Sequence, residues 1–478
     1  MLSKLLSDRV LTSVEIVERY LAQIAKHNHA GLTLNAIISV AEEKTLFDQA
    51  RRLDEERERG KLRGPLHGIP ILLKMSHQLL LEEQSQTQKI VDTLVAAGLI
   101  IIAKTNLSEF RDAKGFNLMR EWSAVGGQTQ SRYVRGGLAA NTTWLSHSGP
   151  AGSSTGSAVG VAAGFAPFSL DTETDGSIIM PAARAGLYAL KLTPGSVDIT
   201  GIQPGAPGFV CLGPMAKTTV DVATLAAVMQ RHDPDKYLPL SNSWAGLRLG
   251  FVDPALWRSY PSAIEPVEGF FEQTDGALFQ AQETIQSLGG NVVKKVPLAS
   301  WDEITGAMPE FQHIEDLWPF PWKRDFPGFL QSFEGPVPQS LEELIEWNNA
   351  HADIEFTDRN DNQKALETSR DRNMTQETYD RNVKALRDFA ASNVRSLLKQ
   401  HDVDAILGPC DSRTGSVGAA AEYPVGNLPL GFADFNGPPF SLHMIAPANE
   451  EAKMLQIISA WEATFPDNVK PPPQLVGQ

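Results

Sequence analysis

Along this chain, short unbroken apolar runs alternate with longer stretches in which apolar residues recur every three or four positions. The first of the longer stretches opens at Thr12-Ser13-Val14-Glu15. This is a capping box, with the threonine side chain accepting from the backbone and the glutamate reaching back. Behind it Val17, Tyr20, Leu21 and Ile24 fall on one helical face. Residues 36–40 read as a strand, and residues 42–59 as a charged amphipathic helix ended by Gly60. Residues 69–74 form an apolar run that ends in Lys74, the pattern of a buried strand. A helix over 90–97 and a strand over 99–103 follow, the latter its expected neighbour. This alternation predicts an α/β fold, a mixed or parallel sheet with covering helices.

Further along, helices are expected over 220–230, 270–288, 379–399 and 452–465, and strands over 247–252, 291–296 and 404–407. Residues 115–150, rich in Gly, Ser, Asn and Thr, read as loops around a site. Residues 305–372 carry Trp318, Trp322 and Trp347 beside pairs such as Phe320-Pro321. Packing of a helical insertion on the sheet accounts for such aromatics more simply than a pocket lining does. The chain is therefore read as one domain, 1–478, with a core at 12–300 and 376–466, a variable helical insertion at about 305–373 and a C-terminal tail at 467–478.

Composition narrows the function classes. The 478 residues carry a formal charge of −15, with 42% hydrophobic and 21% charged residues. Such a charge opposes a general nucleic-acid or anionic-membrane surface, so no nucleic-acid partner is expected. No apolar run reaches the ~18 residues of a membrane span, and the first residues lack the core of a secretory signal. Two cysteines, Cys211 and Cys410, provide no disulfide framework, which fits a reducing, cytoplasmic setting. The histidines lack metal-site spacing, and no Walker or Rossmann glycine pattern occurs, so no metal or organic cofactor is expected.

The chemistry concentrates in residues 151–195. Ser153-Ser154 and Ser177 flank small apolar residues over 158–166, with glycines beside both. Glycine lets backbone N–H groups approach a ligand, as an oxyanion site requires. The small residues between suit a tightly packed helix, which would put Ser153 and Ser177 at the two ends of one rigid unit. Serine needs a base, and no Ser-His-Asp order surrounds this stretch. Lys74 is the candidate, because burial away from water favours its neutral amine. Residues 152–156 also fit G-x-S-x-G, with Ser154 as nucleophile, but that elbow needs a buried strand before the serine, and 146–151 read as loop.

Together, GPLHGIPILLK, GSSTGSA and the T-x-T-x-G-S-I-x-x-P-A segment beginning at Thr172 resemble the amidase signature family, with the two serines 24 positions apart as in that family's pattern. The resemblance implies the amidase-signature fold, a central mixed β-sheet covered by helices on both faces. It further implies that Ser177 is the nucleophile, Ser153 a bridging serine after a cis peptide, and Lys74 the base. The backbone N–H groups of Thr174, Asp175, Gly176 and Ser177 would form the oxyanion hole. The implied reaction hydrolyses a small-molecule carboxamide or N-substituted amide through a Ser177 acyl-enzyme, without a cofactor. The rival readings are a catalytically impaired amidase-like binding protein and an amidotransferase A-type subunit.

Three departures from the family pattern stand out. A T-T-x-G-S segment usual after the lysine is missing from the residues that follow Lys74. The usual G-T-D-T-G-G-S reads Asp171-Thr172-Glu173-Thr174-Asp175-Gly176-Ser177 here. At position 175 Asp tolerates a left-handed backbone, and its carboxylate is expected to point away from a developing oxyanion. Ile179 stands where an arginine often follows the nucleophile by two, which bears on how the next helix packs.

Overall fold

Ile71 and Leu73 enter one hydrophobic core, whereas Leu72 between them enters another that also holds Ile100, Ile102 and Ala103. An unbroken apolar run is what a strand covered on both faces needs, since successive side chains point to opposite sides. The computed structural model describes residues 2–74, 89–134, 137–140, 142–143, 145–261, 263–333, 337–472 and 475.

Its strands are β1 Ile37–Val40, β2 Pro70–Lys74, β3 Ile100–Thr105, β4 Trp122–Ser123, β5 Gly127–Gln128, β6 Phe168–Glu173, β7 Tyr188–Lys191, β8 Cys211–Ala216, β9 Arg248–Phe251, β10 Asn291–Val293, β11 Ala405–Pro409, β12 Val425–Phe432 and β13 Pro439–Ile445. Among the described residues, eleven of them form one sheet in the order β1-β3-β2-β6-β8-β7-β12-β13-β11-β9-β10, and β4 pairs with β5 apart from it. The sheet is mixed. β3, β2 and β6 run parallel, as do β11, β9 and β10, while the pairings between these groups are antiparallel. Helices cover both faces, as the sequence implies.

Several expected elements appear with shifted ends. The capping box at Thr12 forms both of its hydrogen bonds and opens the helix Ser13–His27. The predicted 42–59, 220–230 and 270–288 helices are found as Glu43–Glu58, Thr219–Met229 and Phe270–Ser287. The strands β7, β8, β12 and β13 have no counterpart in the sequence pattern. Pro214 lies inside β8, and Pro429 and Gly431 lie at an irregularity in β12, so both strands carry residues that ordinarily argue against a central strand.

Within 305–373, Trp322 is buried against Phe326 with ring centroids 4.4 Å apart, and Trp318 lies 5.1 Å from Phe209. Trp347, 39% exposed, stacks on His351 at the surface. A buried ion cluster ties this region to the turn after β3: Lys114 Nζ lies 2.6 Å from Glu109 Oε2 and 2.7 Å from Glu355 Oε2, and donates to the Glu355 carbonyl. Burial raises the Glu109 carboxyl above its ordinary range, against the pull of Lys114. Removing the cation from a buried ion cluster strands its carboxylates. Lys114→Met is therefore expected to cost about 3–5 kcal/mol of stability, read from urea unfolding. No helix among the described residues is long and apolar enough to cross a membrane.

Candidate active site

β2 and β6 are parallel neighbours, so their carboxyl ends open on the same edge of the sheet, where ligands of open α/β sheets commonly bind. Lys74 is the last residue of β2 and has no solvent exposure. Its Nζ donates to Ser153 Oγ at 2.8 Å and to the Thr172 carbonyl at 3.0 Å. Burial holds the amine well below the ordinary lysine range, opposed first by the negative charge of Asp171 and assisted by Arg111. Residues that follow Lys74, including the stretch that lacks T-T-x-G-S, lie outside the described residues.

Ser153 sits in the loop before the helix Thr155–Ala162, and the Gly152-Ser153 peptide bond is cis. Its carbonyl accepts from Ser108 N at 3.1 Å, while Ser154 N donates to the Ser177 carbonyl at 3.1 Å, so backbone bonds pin the two serine loops together. Gly152 is required here by close approach. A Cβ at this position would stand 2.1 Å from Ser108 Oγ and 2.7 Å from the Arg120 carbonyl. Gly152→Ala is expected to displace Ser153, lowering stability by about 1–3 kcal/mol through overpacking. Turnover should fall about 10²-fold, as a misplacement near 1 Å can cause; melting curves and kcat/KM check the two effects.

Ser153 and Ser177 are not the two ends of one helix, contrary to the expectation from the small residues. The helix stops at Ala162, Gly164 turns the chain with φ 77°, and β6 then carries it back to the turn before Ser177. Strand pairing with β2, rather than helix length, brings the serines together. Ser154 is fully buried, its hydroxyl donates to the Thr172 carbonyl at 3.3 Å, and among the described residues no strand leads directly into it, so the nucleophile-elbow reading does not hold.

Ser177 precedes the helix Ile179–Arg184 and is 7% exposed, whereas Lys74 and Ser153 are sealed. Among the described residues no hydrogen bond joins the Ser153 and Ser177 hydroxyls. The structure thus shows the contact between Lys74 and Ser153 and none between the two serine hydroxyls.

The turn from Thr174 to Ser177 is shaped by a residue the sequence reading passed over. Glu173, buried at the end of β6, accepts from Ile178 N at 2.6 Å and Ile179 N at 3.1 Å through Oε2. Burial raises its pKa, while Lys191 and these N–H groups oppose the rise. Its place in an atypical D-T-E-T-D-G-S segment was the available signal. Within the turn, Gly176 takes the left-handed conformation at φ 81°, and Asp175 does not, so the aspartate is not needed for the bend. The Asp175 carboxylate accepts from Ser416 Oγ at 3.0 Å and lies 3.7 Å from Arg413. Ile179 is fully buried, and a Cβ on Gly415 would meet its Cδ1 at 2.5 Å, so the small residue accommodates it.

With the geometry in view, sequence comparison is decisive: the family profile described as Amidase matches residues 15–430. The chain belongs to the amidase family. As an amidase it hydrolyses amide C–N bonds. This amidase is 26% identical to a probable amidase of Arabidopsis thaliana over 98% of its own length and 90% of that protein. It is similar in structure to the native peptide amidase from Stenotrophomonas maltophilia, with a TM-score of 0.83 and 27% identity, over 98% of this chain and 97% of that one. The A-type subunit of the glutamyl-tRNA(Gln) amidotransferase from Chloroflexus aurantiacus is 32% identical, over only 59% of this chain and 57% of that protein.

Proposed function

We propose that this amidase hydrolyses a small carboxamide or an N-substituted amide through an acyl-enzyme on Ser177, with Ser153 and Lys74 as proton relay and base. The observation that carries the reading is the 2.8 Å hydrogen bond from a fully buried Lys74 amine to Ser153 Oγ. Neutral Lys74 takes the Ser153 hydroxyl proton as Ser153 takes that of Ser177, and Ser177 Oγ attacks the amide carbon. As the tetrahedral intermediate collapses, the C–N bond breaks and the leaving amine or ammonia receives the proton held by Lys74. Water, deprotonated along the same route, then releases the carboxylic acid and restores Ser177.

The N–H groups of Thr174 to Ser177 are the proposed oxyanion donors, each worth on the order of 3 kcal/mol in a comparable hole. Glu173 supports them by holding the following two N–H groups. Similarity to a peptide amidase supports a peptide-like carboxamide among the substrates. Residues 305–373 are proposed as a variable insertion on a single catalytic domain, and the acidic, cysteine-poor chain suits a small-molecule enzyme of the cytoplasm.

A fluorophosphonate probe tests the assignment directly. Labelling of the purified protein, mapped to Ser177 by peptide mass and blocked by an amide substrate, is the expected result. A protein that turns over amides while the probe lands elsewhere, or that neither labels nor hydrolyses an amide panel, overturns it.

A further inference from the structure

β6 carries a buried carboxyl that the proposed mechanism does not use. Leu72 and Ser169 are register partners across the parallel strands β2 and β6, as are Leu73 and Leu170. Carried on by one residue, this register sets Lys74 beside Asp171 on the same face of the sheet. Both residues are fully buried. Asp171 Oδ2 accepts from Ser169 Oγ at 2.5 Å, and Oδ1 is buried without a hydrogen-bond partner. The Ser157 and Ser154 hydroxyls lie close enough to favour the charged carboxylate, although Ser154 Oγ bonds the Thr172 carbonyl and Ser157 Oγ meets Thr105 Oγ1 at 2.7 Å. A pocket of hydroxyls under the start of the helix Thr155–Ala162 thus surrounds a carboxyl group beside the candidate base. The family pattern has glycine at this position.

We infer that Asp171 is a positioning residue for Lys74, its buried carboxylate stabilising the neighbouring amine while that amine carries the proton. This rests on the reading of Lys74 as the base. The argument is electrostatic: burial disfavours the ammonium, and an adjacent carboxylate favours it. Both influences act on Lys74, burial as the larger, with Arg111 opposing and Asp112 and Glu173 assisting the carboxylate. Burial likewise raises the proton affinity of Asp171, against its hydroxyl partners and Lys74. Chemically, the carboxylate stabilises the stage at which Lys74 holds the proton destined for the leaving amine. It does so without touching the substrate.

Asp171→Asn keeps the shape and an acceptor for Ser169 but removes the charge that favours the ammonium, so Lys74 loses its proton at lower pH. The test is an NMR titration of protein labelled at lysine Cε, with the Lys74 resonance assigned by its absence in Lys74→Met. The midpoint is expected to fall by about one pH unit in Asp171→Asn. The acid limb of kcat/KM should move down with it. Thr105→Val removes a hydroxyl from the same pocket without changing charge and is expected to leave the midpoint in place.

Should the asparagine variant fail to fold, Asp171→Gly, the residue of the family pattern, takes its place with the same expected shift. An unmoved midpoint in the folded variant overturns the inference, whatever the activity. A shifted midpoint in a protein that hydrolyses no amide supports the coupling and rejects only the catalytic reading of Lys74.

Discussion

Ser177→Ala is expected to lower kcat/KM for amides by about 10⁴- to 10⁶-fold, the range seen when the nucleophile of an acyl-enzyme mechanism is removed. Residual turnover above the uncatalysed rate would come from the oxyanion donors and binding alone. The substitution removes one hydroxyl from a residue that is 7% exposed, and that hydroxyl makes no hydrogen bond among the described residues, so the melting temperature should hardly change. This combination separates a chemical role from a structural one. Steady-state kinetics on a carboxamide panel and calorimetry on the same preparation provide the two readings.

Lys74→Met is expected to be almost as damaging, at about 10³- to 10⁴-fold in kcat/KM, because it removes the base but leaves the nucleophile and the oxyanion donors. It also has a signature in stability. The folded-state pKa of Lys74 is depressed by burial below its unfolded value of about 10.5. In the interval between the two, the unfolded chain binds the proton and the folded chain does not. Stability contributed through this group therefore rises as pH rises across that interval. In Lys74→Met this increment should be missing when unfolding free energies are compared from neutral pH to pH 10. A wild-type acid limb in kcat/KM, lying well below the ordinary lysine range, should accompany it.

The sequence made Lys74 legible because a cation at the end of an apolar run conflicts with burial unless something uses it. Ser153 and Ser177 were legible through their glycines and through the resemblance, and the structure brings Lys74 and Ser153 into contact. What periodicity could not reveal was how the serines meet. The small residues suggested a longer helix, yet Gly164 ends it and β6 makes the return. Glu173 was also invisible in role, since its value lies in reaching two N–H groups beyond a turn whose path depends on tertiary packing. The left-handed backbone that Asp175 would tolerate is adopted by Gly176 instead, because glycine meets no steric penalty there. β8 and β12 were hidden by Pro214 and Pro429, residues that ordinarily argue against a central strand; the second sits at a register irregularity, the first within regular pairing.

The strand order has a consequence for biosynthesis. β7 pairs on one side with β12, so Lys191 has to wait for Val425, a partner more than two hundred residues downstream. Until the ribosome has delivered that segment, the nascent N-terminal portion presents a raw apolar edge of the kind that recruits other chains. Production of the folded protein is therefore expected to be sensitive to folding-helper proteins that shield such edges during translation.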